Sequence, residues 1–174
     1  MGLLNPDQNY DHLLDVISGY DGMHDLQFKA GIAASESWER GALVSLDAAG
    51  DLVAGLAAAH AMPLWAINAT GDFDVASDVG NISGGVVATF PATGGYEIAT
   101  TEFDEVAAPA YIPNALLTAG AVAGEVTAAP NPGYSDVPVV GVVSIGVRTE
   151  VYNQEVLQFW PVYQPPVSTG ASSS

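Results

Sequence analysis

"GALVSLDAAGDLVAGL", residues 41–56, is the stretch that decides the fold class. Two apolar runs flank Asp47-Ala48-Ala49-Gly50. A type I turn followed by glycine in the left-handed region closes such a pair into a β-hairpin. The surrounding sequence has the same character. "MPLWAINAT" (62–70) reads as a third strand that stops at Gly71. "GGVVATF" (84–90) and "GYEIATTEF" (95–103) flank the turn-forming residues 91–95, so a second hairpin is expected there. "GEVTAA" (124–129) reads as a short strand followed by the loop "PNPGYSDVP". "VVGVVSIGV" (139–147) and "EVLQFWPVY" (155–163) make a final pair. Short strands separated by Gly, Pro, Asn and Asp describe an all-β domain over 26–166, a small β-barrel or β-sandwich built of hairpins. The 19 glycines and 11 prolines fit that class. "LAAAHAMP" (56–63) admits one helical turn, and no segment repeats convincingly along the chain.

The two ends read differently. Residues 1–25 are punctuated by acids and by Pro6, Gly19 and Gly22, with too few apolar residues in register to join a β core. They read as an N-terminal arm, with a short helix over Tyr10–Ser18 stopped by Gly19. Residues 167–174 read as a frayed polar tail.

Composition narrows the function classes. A chain of 174 residues with 49% hydrophobic content can bury one real core. It has no cysteine, which removes disulfides, thiolate metal sites and thiol nucleophiles. No apolar run approaches the roughly 18 residues of a membrane-spanning helix. The N-terminus has no basic stretch of the signal-peptide kind, so a soluble, unprocessed chain is expected. Twenty acidic residues against Lys29, Arg40 and Arg148 give a net charge of −17. Phosphate backbones and anionic membranes repel such a surface, so neither nucleic acid nor membrane is an expected partner.

No residue set carries recognisable catalysis. Ser144 in "VVSIG" lacks the Gly-x-Ser-x-Gly elbow and the following helix of a serine hydrolase, and reads as a strand residue. His12, His24 and His60 have no zinc spacing. Asp72, Asp74 and Asp78 in "DFDVASD" are solvated loop acids or a loose calcium site, since Ala76 and Ser77 break the EF-hand pattern. Glu97, Glu102 and Glu105 could supply a pair of glycosidase carboxylates, as any acidic chain could. The glycine pairs at 84–85 and 94–95 lack the strand–loop–helix that cradles phosphate. The chain therefore reads as a non-enzyme, with no catalytic residue, metal or cofactor assigned.

The strand "VLQFWPVYQPP" (156–166) is apolar or aromatic on both sides. Leu157, Phe159 and Tyr163 share one face, and Gln158, Trp160 and Val162 the other. Either the chain covers both faces itself, or one face meets a second subunit. On the second reading the interface residues are Trp160, Phe159 and Tyr163, with Trp65 as a neighbour.

In order and cadence, "FKAGIAASESWERGALVSLDAAGDLVAG", "MPLWAINAT", "GGYEIATTEFD", "YIPNALLTAG" and "VGVVSIGV…LQFWPVY" resemble the capsid decoration (cement) proteins of tailed bacteriophages. The resemblance spans about residues 26–163 and rests on no diagnostic motif. It implies a virion structural protein on the outer surface of an icosahedral capsid. Such a protein binds the major capsid protein and stabilises the head, often as a homotrimer at three-fold positions. A tail or fibre component shares these features. A carbohydrate-binding or carbohydrate-active β-domain is the alternative from a different class.

Overall fold

The computed structural model describes residues 14–19, 28–67, 69–70, 86–92, 95–105, 111–128, 137–149 and 154–166. Among them are eleven strands and no helix. The strands are β1 (Leu14–Gly19), β2 (Phe28–Gly31), β3 (Leu43–Leu46), β4 (Leu52–Ala54), β5 (Leu64–Ala66), β6 (Val86–Pro91), β7 (Tyr96–Thr100), β8 (Leu116–Ala119), β9 (Val126–Ala128), β10 (Val139–Thr149) and β11 (Glu155–Gln164). They form two antiparallel sheets, ordered β1-β7-β11-β10-β8-β9 and β2-β6-β5-β3-β4. The sheets pack on each other without closing into one barrel, so the all-β reading takes its sandwich form.

The opening stretch folds as its residues require. Val44, Ser45 and Leu46 of β3 pair with Ala54, Val53 and Leu52 of β4. Between them Asp47 Oδ1 accepts from the N–H groups of Ala49 (2.8 Å) and Asp51 (3.0 Å). Gly50 N donates to Asp47 O, and Gly50 has φ +88°, a conformation that side-chain-bearing residues rarely adopt.

The two sheets repeat one design. With β1 set aside, the strand order β7-β11-β10-β8-β9 reproduces β2-β6-β5-β3-β4 strand for strand in chain order. The registers agree residue by residue. Leu43↔Trp65 and Trp65↔Phe90 in the first unit correspond to Leu116↔Val142 and Val142↔Trp160 in the second. Ser45↔Val53 corresponds to Thr118↔Thr127, and Leu64↔Pro91 to Gly141↔Pro161. The chain beyond the first strand of each unit bridges the far edge strand in parallel, Ile32 to Leu52 and Phe103 to Val126. Loop hydrogen bonds match as well. Gly41 N donates to Ala66 O, and Ala66 N to Ala42 O; Asn114 N donates to Val143 O, and Val143 N to Ala115 O. Gly41 and Asn114 share positive φ, at 90° and 71°.

This repeat corrects the expectation that none exists. Once the registers are known, "WERGALVSL" (38–46) aligns with "YIPNALLTA" (111–119), and "VVATFP" (86–91) with "VLQFWP" (156–161). The separation of equivalent residues drifts with loop length. It is 73 residues at Leu43/Leu116, 77 at Leu64/Gly141 and 70 at Pro91/Pro161. No fixed period survives for a linear search to find.

The units stack rather than sit side by side. Ile32, Trp38, Ala42, Val44, Leu52, Leu64 and Ala66 form the first unit's own core. Its opposite face, the row Leu43–Trp65–Phe90, joins Ile98, Leu117, Val143 and Phe159 from the inner face of the second unit. Trp65 meets Phe159 edge-on, with centroids 4.9 Å apart at 65°. Buried Thr100 Oγ1 donates to Gly41 O across the junction (3.0 Å).

Three further expectations change. Residues 84–90 and 95–103 do not make a hairpin, because β6 and β7 lie in different sheets. Pro91, without an N–H, ends β6, and Tyr96 Oη donates to the Pro91 carbonyl where the chain crosses over. The N-terminal arm is not separate along its length, and the helix over Tyr10–Ser18 does not form through Leu14–Gly19. That segment is β1, antiparallel to β7 with an irregularity between Val16 and Ser18. β11 occupies only one side of β7, and β1 pairs on the other. At 56–63 the chain makes a single turn, with Ala61 N donating to Ala58 O (2.9 Å). The rest of the arm expected over 1–25 and the tail at 167–174 lie outside the described residues.

Gly141 occupies the position that Leu64 holds in the first unit. A Cβ there would lie 2.7 Å from Phe159 Cδ2 and 3.2 Å from Leu117 Cδ1. The missing side chain makes room for the ring that Trp65 packs on. Gly141→Ala is therefore expected to destabilise the fold by about 1–3 kcal/mol through overpacking. Urea denaturation should show a lower midpoint with an unchanged slope. An unchanged midpoint would show that Phe159 relaxes freely.

Candidate interaction surface

Cross-strand pairs share a sheet face, so the second unit's outward face can be read from its register. Leu116 of β8, Val142 of β10 and Trp160 of β11 form one row across three strands. Leu116 and Val142 are half-buried, and Trp160 is 40% exposed. Two residues back on β11, Gln158 shares this face and is 1% exposed. Its Nε2 donates to Glu97 Oε1 of β7 at 2.7 Å. Val156 is buried as well. The chain thus covers the middle of β11 on both sides and leaves Trp160 in solvent.

That arrangement corrects part of the expected interface. Trp65 and Phe159 are both fully buried in this chain's own core, where they pack against each other, so neither can meet a partner of the folded chain. Trp160 stays accessible, and Tyr163 is half-buried toward the end of β11. Leu116 and Val142 escaped sequence reasoning because they reach Trp160 only through strand pairing. The signal that could have found them is the match of "NALLT" to "GALVS", which equates Leu116 with Leu43.

A second feature lies at the edge of the second unit, where the parallel bridge from Phe103 to Val126 brings 101–105 beside β9. Asp104 N donates to Val126 O (2.9 Å), and Val126 N to Glu102 O (3.2 Å). The result is a groove of about 560 Å³ lined by Glu102, Asp104, Glu105, Glu125 and Glu155 around Phe103. Tyr111 stacks edge-on against Phe103 at 5.5 Å and donates from Oη to Asp104 O (2.8 Å). Burial, chiefly, pushes the Tyr111 hydroxyl up to about 12. Burial first, and then the charges of Glu102, Asp104 and Glu105, raise the Glu125 carboxyl above the ordinary glutamate range. No cluster of three potential metal ligands occurs among the described residues.

The residues singled out for chemistry are dispersed. Glu102 and Glu105 line the groove, whereas Glu97 lies on the outward sheet face bonded to Gln158. Ser144 sits within β10, at its irregularity between Val143 and Gly146. His60 is exposed in the turn that precedes β5. His12, His24, Asp72, Asp74, Asp78, the glycine pair at 84–85 and Gly94 lie outside the described residues.

Because Glu125 holds its proton more tightly folded than unfolded, the folded chain binds more protons in that window. Its contribution to stability therefore falls as pH rises through it. Glu125→Gln is expected to melt higher than the parent at neutral pH. The gain should vanish below the ordinary glutamate range, as read by thermal denaturation across pH. A variant that melts lower at neutral pH would mean the carboxylate is held by favourable contacts.

No protein-family model matches the chain, and no curated protein or solved structure is significantly similar to it.

Proposed function

We propose that this chain is a virion structural protein that binds the outer surface of an icosahedral phage capsid and stabilises the head. The observation that carries the reading is the row Leu116–Val142–Trp160, an apolar strip left open on a sandwich whose other aromatic rows are packed. Burying such side chains yields roughly 1.5–3 kcal/mol each, enough for a few of them to hold neighbouring subunits of a surface assembly to one another. The resemblance to capsid decoration proteins supports the same reading, and its quoted segments contribute strands to both units. With 20 acidic residues against 3 basic ones, a basic or cation-bridged shell surface suits the chain as a partner.

The test is direct. Mass spectrometry of purified particles from the phage encoding this chain should find it at a stoichiometry set by the lattice. Heads lacking it should take up purified protein and then release DNA at a higher temperature. Absence from intact particles would defeat the proposal.

The acidic groove favours a second reading, a carbohydrate-active domain with Glu125 among its working carboxyls. A panel of glycosides separates the two. We expect no turnover, whereas hydrolysis abolished by Glu125→Gln would replace the structural reading.

A further inference from the structure

The repeat gives the exposed row a counterpart whose covering is visible. Leu116, Val142 and Trp160 stand where the first unit has Leu43, Trp65 and Phe90. In the first unit all three are buried, at 0%, 0% and 6% exposure, and what buries them is the second unit. The row therefore serves, within one chain, as the surface through which one copy of this five-strand unit packs on another. In the second unit the row stays apolar, and Trp160 is 40% exposed.

We propose that the Leu116–Val142–Trp160 row docks a second copy of this chain, row against row, about a two-fold axis. The face that covers the first unit's row is the inner face of the second unit, and every chain fills that face with its own Trp65 and Phe90. A second copy cannot offer it. What a second copy does offer is its own open row, and a patch that meets itself closes as a symmetric dimer. A trimer, expected from the resemblance alone, would need a different second surface.

Electrostatics fit this placement. The residues beside the row on the same face include Thr118, Thr127 and Gln158, all uncharged; the carboxylates next to them, Asp104 and Glu97, accept hydrogen bonds from Thr127 Oγ1 (3.4 Å) and Gln158 Nε2 (2.7 Å). The charge of −17 per chain opposes association from a distance, where salt screens it. Dimerisation should tighten as salt is raised, the reverse of a contact held by ion pairs.

The free protein provides the test, independently of any capsid. Sedimentation equilibrium should give a monomer–dimer system that strengthens toward about 1 M salt, where the Debye length is about 3 Å. Of the three tryptophans, Trp38 and Trp65 are 6% and 0% exposed, so acrylamide quenching reports Trp160. Quenching should fall as protein concentration rises. Trp160→Glu should weaken the dimer at least about tenfold with unchanged far-ultraviolet circular dichroism. Trp160→Phe should restore most of the association. Met62→Glu, at a residue 49% exposed and off the row, should leave it unchanged. A monomer at all concentrations, a trimer, or a dimer indifferent to Trp160→Glu would each overturn the proposal. If Trp160→Glu unfolds the chain, Leu116→Lys replaces it, and a dimer that persists in that variant overturns the proposal equally. Failure here leaves particle binding standing, and absence from particles leaves the dimer standing.

Discussion

Trp65 against Phe159 is the contact on which the rest of the molecule depends. Each belongs to a different five-strand unit, and each is fully buried. An edge-on aromatic pair adds about 0.5–1.5 kcal/mol beyond the burial of its surfaces. Its larger effect is geometric. To receive Trp65, the second unit needs a deep inner face, and it has Gly141 and Phe159 where the first unit has Leu64 and Thr89. A small residue beside a large one keeps the packed volume while moving the aromatic bulk to where the other unit arrives.

The stacking also separates the roles of the two sheets. The first unit's sheet lies between its own core and the second unit, which is why β3 and β5 are buried on successive residues instead of alternating. The second unit's sheet has the first unit on one side and solvent at part of the other. The same row is therefore structural in one copy and available in the other. An internal repeat leaves one such surface over whenever its units stack in one direction.

The groove carboxylates gather where 101–105 runs beside β9, and burial, followed by the charges of its neighbours, raises the Glu125 carboxyl. Beside the outward row, the carboxylates of Glu97 and Asp104 accept hydrogen bonds from Gln158 and Thr127.

The residues by themselves determined the local elements. Asp47, Gly50 and the apolar runs beside them encode the β3–β4 hairpin through turn chemistry and short-range hydrogen bonds. The long apolar runs of β10 and β11 encode the closing pair. Turn residues also implied a hairpin at 91–95, but turn chemistry says where a chain reverses and not which sheet receives it. Residues 14–19 were unreadable as a strand because the ladder that holds them belongs to β7, far along the chain. Trp65, Phe159 and Trp160 looked alike in one dimension. Which of them is core and which is surface depends on how two similar units stack, and that comes from complementary volume between distant residues. Only the tertiary structure could decide it.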